Sequence, residues 1–96
     1  MAPTGLSEVY PGVCGVMFDE GERGMYVPIV IAEAQGSGDV GRFIDHLLSE
    51  YHTVKFPCVL SVRLKGMLGR RGFRLTHEWD ELGGEWVEVW VKERSL

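Results

Sequence analysis

The sequence predicts one small α/β domain on a mixed sheet, in the order β-β-α-β-α-β-β, and three features carry that prediction. Mid-chain, Val40, Phe43, Ile44, Leu47, Leu48 and Tyr51 fall at i, i+3, i+4, i+7, i+8 and i+11, a single apolar helical stripe. Apolar strand-like runs flank that helix, and a strand–helix–strand unit closes with a right-handed crossover and two parallel strands. Near the C-terminus Phe73, Leu75, His77 and Trp79 alternate with polar residues, and the alternation resumes after Leu82-Gly83-Gly84. That is an antiparallel hairpin, so the sheet is mixed.

The 96 residues suit a single domain, with 1–11 as an irregular lead-in broken by Pro3, Gly5 and Pro11. Gly12 to Phe18 reads as a short strand and 19–24 (DEGERG) as a hairpin turn. In 25–33 (MYVPIVIAE) the run of Val27, Ile29, Val30 and Ile31 suits a central strand covered on both faces. Pro28 inside it donates no ladder hydrogen bond, which predicts a bulge or an edge. Asp39 stands where it would cap the helix, whose off-stripe residues Arg42, Asp45, His46 and Glu50 face solvent. Residues 54–60 form another strand, Ser61 caps a second helix over 62–70, and Gly72 stops it. In the last strand Trp86, Glu88 and Trp90 share one face. Two large aromatics there mark a protein–protein surface, and homodimerisation through the terminal hairpin is the expectation.

Composition narrows the function. A net charge of −4 argues against a dedicated nucleic-acid binder. No apolar run nears the ~18 residues of a membrane span, and the N-terminus lacks the basic start and apolar stretch of a secretory signal. Cys14 and Cys58, each in an apolar segment, read as buried reduced thiols. A cytoplasmic protein away from membranes is the expectation. The histidines and cysteines show no metal-ligand spacing, and no G-x-S-x-G elbow occurs.

Residues 36–41 spell G-S-G-D-V-G between a strand and a helix, literally a G-x-G-x-x-G. Glycines let a backbone approach an anion, and the first free N–H groups of the helix point at it. A dinucleotide fold needs more strands, and an acidic residue where this chain has Leu60-Ser61-Val62. A ligand-free turn and a phosphate of another kind stay open.

Here the sequence resembles the GNAT N-acetyltransferase superfamily, across about residues 12–93. The family's pyrophosphate loop, R/Q-x-x-G-x-G/A, joins a strand to a helix, as Ile31 to Gly41 (IAEAQGSGDVG) does here without a gap. Gly41 holds the final small position and Asp39 the middle glycine; Gly36 stands first, with Gln35 one residue early. The family's N-x-x-A-x-x-x-Y-x-x-x-G-F is matched by Ser61, Leu64, Leu68, Gly72 and Phe73 at the same spacing. The resemblance implies an acyl-CoA, acetyl-CoA above all, as cofactor and an unidentified amine as acceptor. It implies that Ile31, Gly36, Ser37, Gly38, Val40, Gly41 and Arg42 bind the CoA. A backbone N–H near Val30 to Ala32 would polarise the thioester, Glu33 would be the general base, and Ser61 would hold the asparagine's hydrogen-bonding place. The basic run Arg63, Lys65, Arg70, Arg71 and Arg74 is the solvated face of a helix, a seat for the 3′-phosphate of CoA, or, least favoured by the overall acidity, a contact for nucleic acid. Leu68 replaces the tyrosine that protonates the leaving thiolate. Two readings therefore stand: an N-acetyltransferase, and an interaction module that kept the scaffold and acts through Trp86 and Trp90.

Overall fold

The computed structural model describes residues 6–94, so Pro3 and Gly5 of the expected lead-in lie outside the described residues. The elements are β1 (Ser7–Tyr10), β2 (Val13–Gly21), β3 (Gly24–Ala32), α1 (Asp39–Glu50), β4 (Thr53–Pro57), α2 (Val62–Arg70), β5 (Arg74–Asp80) and β6 (Glu85–Glu93). They form one six-stranded sheet in the order β1-β2-β3-β4-β6-β5. β3 and β4, on either side of α1, run parallel, and every other neighbouring pair is antiparallel. The mixed α/β class stands.

Part of the lead-in is a strand instead. Ser7–Tyr10 pairs with β2, because Val9 and Tyr10 pack on the core and the Tyr10 ring meets Phe43 at 5.8 Å. The β2–β3 turn is tighter than expected: only Glu22 and Arg23 turn, with φ of 51° and 60°. Two consecutive positive φ values are what a two-residue hairpin turn requires. The strand read over 54–60 ends at Pro57, since Cys58 takes a left-handed φ of 52° and redirects the chain. That turn leaves Cys58 exposed while Cys14 is buried, correcting the expectation of two buried thiols.

From β3 to β4, and from β4 past β6 to β5, the chain moves across the sheet in one direction. Two right-handed crossovers taken the same way put both helices on one face. The core lies there: Val13, Met25, Val27, Val54 and Phe56 of the sheet meet Phe43, Ile44 and Leu47 of α1 and Leu68 of α2. Burying a side chain of that kind is worth about 1.5–3 kcal/mol. Among the described residues no helix covers the opposite face, so Ile29 and Ile31 remain 41% and 44% exposed. β3 is thus covered on one face, not two. Trp90 packs against the core, whereas Trp86 is exposed and meets Trp79 of β5 edge to face at 5.6 Å. The exposed aromatic pair is therefore Trp79 and Trp86.

The second helix ends as read. The N–H of Phe73 bonds the Leu68 carbonyl and that of Gly72 the Gly69 carbonyl, with Gly72 at φ 83°. This paired closure needs a left-handed residue after the last turn.

Candidate functional site

Parallel pairing between β3 and β4 covers only Gly24 to Tyr26 against Thr53 to Lys55. Beyond that the strands part, and the cause is local. Val16 faces Ile29 and Phe18 faces Tyr26, so Val27 and Pro28 together oppose Met17. This is a bulge, where Pro28 predicts one, and a bulge bends its strand and increases its twist. β4 ends at Pro57, so β3 runs on paired only with β2.

The gap between them opens into a cleft of about 560 Å³. Val30, Ile31 and Ala32 form one wall, Ser61, Arg63, Leu64 and Met67 the other, and residues 34–40 close the end. A narrower wedge of about 240 Å³ runs from it between Val27–Val30 and the segment Phe56–Ser61, sharing Val30, Ser61 and Leu64 with the cleft.

The backbone along the first wall is free. Glu33 N–H bonds the Gly12 carbonyl at 2.9 Å, and Val13 faces Ala32 in the next register position. Antiparallel ladders alternate, so residues 33, 31 and 29 spend their N–H and C=O groups on β2, while Val30 and Ala32 turn theirs toward the gap.

At the cleft's end the α1 N-terminus is also open. Asp39 does not cap it: Gly38 does, at φ 82°, and it has no side chain to bond the helix amides, although the Asp39 N–H donates to the Ser37 hydroxyl at 3.3 Å. Asp39 is the first helical residue, and its carboxylate accepts from the Ser37 hydroxyl at 2.9 Å and from the Arg42 guanidinium. Arg42 first, then Ser37, holds the Asp39 carboxyl below its ordinary range. The first intrahelical bond runs from Arg42 N–H to the Gly38 carbonyl. The N–H groups of Val40 and Gly41 have no acceptor among the described residues.

Ile31, Gly36, Ser37, Gly38, Val40 and Ser61 are thus brought together around one cleft. Gly41 and Arg42 are not in its lining: Arg42 is occupied by Asp39 and the Ser37 carbonyl, and Gly41 lies under the Arg71 guanidinium. Glu33 is not in it either. Its position on the ladder turns its side chain to the helix-free face, where Oε1 accepts from the Cys14 thiol at 3.2 Å. Burial first, and then Glu33, pushes the Cys14 thiol up. The basic run does not form one face. Arg71 joins the two helices through Asp45, Arg74 pairs with Glu93, and Arg63 alone enters the cleft, with no carboxylate partner among the described residues. Leu68 is wholly buried in the core. The resemblance points to a backbone N–H near Val30 to Ala32, but not to how much of that edge is free, since a free backbone edge depends on where the neighbouring strand stops.

No family model matches the chain, and no curated protein matches its sequence. Solved structures do match. A polyamine N-acetyltransferase of Drosophila melanogaster, which catalyses the formation of N-acetylagmatine, superposes with a TM-score of 0.54 at 15% identity. An agmatine N-acetyltransferase mutant in its apo form does so at 0.54 and 17%. Each alignment covers 74% of this chain and 44% of the other, so the chain spans less than half the length of these enzymes. The fold is that of the GNAT N-acetyltransferases, over the part of it that this chain spans.

Proposed function

We propose that the chain binds an acyl-CoA, with acetyl-CoA as the first candidate, and presents the thioester to an amine acceptor. One observation carries this: β3 and β4 part beyond Tyr26 and leave the Val30 and Ala32 backbone facing a cleft that ends at the open α1 N-terminus. A pantetheine amide chain pairs with a free strand edge as a peptide strand does. A pyrophosphate suits the Val40 and Gly41 amides, where the helix dipole favours negative charge. Arg63, in the opposite wall, supplies the cation for a phosphate.

In the transfer the amine nitrogen bonds to the acyl carbon, the C–S bond breaks, and the thiolate takes up a proton. Leu68 has none to give, and Ser61 is the hydroxyl on the shared wall of cleft and wedge. Its Oγ already accepts from Leu64 N–H at 3.1 Å, which leaves its own O–H to donate a hydrogen bond to the departing sulfur, and any proton it passes on is restored from water. Glu33 faces Cys14, so in this reading the ammonium proton passes to water.

Calorimetric titration with acetyl-CoA tests the proposal. Saturable binding is expected, weakened tenfold or more by Arg63→Glu, since one charge-assisted bond is worth about 1.5–3 kcal/mol. No heat at millimolar ligand defeats it, and equal affinity in Arg63→Glu moves the phosphates elsewhere.

A further inference from the structure

β5 is an edge of the sheet, seven residues long, fully paired with β6 without a bulge and free of proline and glycine. The opposite edge, β1, is four residues long and irregular in register. Long regular edges are templates for pairing with another chain.

The direction of the β5 backbone follows from β6. Cys58 N–H bonds the Glu88 carbonyl, and Arg94 N–H bonds the His52 carbonyl, so the even-numbered residues of β6 point to the β4 side. His77 faces Glu88, Leu75 faces Trp90 and Trp79 faces Trp86. These are the non-bonded pairs of that ladder, and Leu75, His77 and Trp79 therefore turn their N–H and C=O groups outward.

We infer that two copies of this chain join edge to edge, β5 antiparallel to β5 about a two-fold axis at His77. The strand reads Arg74-Leu75-Thr76-His77-Glu78-Trp79-Asp80 and complements itself in that register. Arg74 meets Asp80 of the second copy, Leu75 meets Trp79, Thr76 meets Glu78, and His77 meets its own counterpart. The outward groups of Leu75, His77 and Trp79 fall on the bonded positions, so backbone direction and charge pattern select the same register. A perpendicular two-fold keeps each face on its own side. Leu75 and Trp79, 46% and 52% exposed, then pair across the junction beside Trp86. Aromatic–aliphatic and opposite-charge cross-strand pairs stabilise such a contact.

Sedimentation equilibrium tests this on the full chain. Wild type is expected to approach twice the 10.8 kDa chain mass as concentration rises. His77→Pro removes an outward donor and spares the β6 ladder, so it is expected to sediment as a folded monomer. Arg74→Asp sets like charges opposite each other twice per dimer and is expected to weaken association roughly tenfold, with Arg74→Lys near wild type. A wild type that stays monomeric, or a dimer whose dissociation constant neither His77→Pro nor Arg74→Asp changes, overturns the inference. A dimer lost in Phe18→Ser but kept in His77→Pro also overturns it, by moving the contact to the helix-free face.

Discussion

The Arg71 guanidinium donates to the Asp45 carboxylate at 2.8 Å, tying the end of α2 to the outer face of α1. The same group reaches the Met67 carbonyl at 3.2 Å and lies over Gly41, where an added Cβ would stand 3.0 Å from Nη2. Both crossover helices are thereby fixed to each other beside the cleft, of which α2 supplies one wall and the start of α1 part of the end.

Arg71→Ala is predicted to lower stability by about 1 kcal/mol, since Asp45 is largely exposed and most of the effect is the lost carbonyl bond. Gly41→Ala is predicted to stay within about 0.5 kcal/mol of wild type, because the flexible guanidinium can shift and alanine favours a helix. Urea denaturation of the two variants checks both. A large loss in Gly41→Ala would mean that the guanidinium is rigidly held.

Asp39 gives the acid limb of stability a specific origin. Its folded carboxyl is held below the ordinary value by Arg42 and Ser37. A depressed pKa contributes stability above the unfolded value near 3.8, which disappears as pH falls through the folded value. Thermal midpoints measured from pH 6 down to about 2 should therefore fall less steeply in Asp39→Asn than in wild type. Parallel curves would show that the Arg42 contact is not kept in solution.

Asp39 also marks where sequence reading stops. A carboxylate one residue before an apolar stripe has the pattern of a cap, but the glycine before it took the left-handed N-cap position and left Asp39 to Arg42. The long elements were legible because periodicity and turn chemistry agreed: the α1 stripe, the Ser61 cap, the Gly72 stop and the Pro28 bulge all stand as read. The opening of the cleft was not. Besides the bulge, it depends on β4 ending at Pro57 because Cys58 adopts a left-handed conformation, and nothing in VKFPCVL announces that. That Glu33 lies outside the cleft lining was hidden for a related reason, since the side of a strand a residue faces is set by register, and the bulge shifts register.

The two thiols should separate cleanly. Cys58 is exposed beside the wedge, whereas Cys14 is buried and its thiol is pushed up by burial and by Glu33. The thiolate is the reactive form, so a maleimide at neutral pH is predicted to label Cys58 first and Cys14 only on unfolding. Peptide mapping after brief labelling checks the order. A raised thiol pKa contributes stability below the unfolded value, lost as pH rises through the folded one, so Cys14→Ser should flatten the alkaline decline. Equal labelling of both residues in the native protein would mean that the β1 edge opens readily.

Ser61 tests the chemistry separately from the fold. Its Oγ accepts from Leu64 N–H, so Ser61→Ala removes a helix cap and should cost about 1 kcal/mol of stability. If its proton also meets the departing sulfur, the same change removes a hydrogen bond to developing charge, worth about 10–100-fold in turnover. The predicted signature is a fall in kcat for acetyl transfer with little change in the KM for acetyl-CoA, because the lost contact forms mainly in the transition state. Ser61→Thr keeps both the cap and the hydroxyl and should recover turnover and stability together. An alanine variant that is less stable but turns over at the wild-type rate would leave Ser61 as a cap alone and assign the thiolate's proton to solvent.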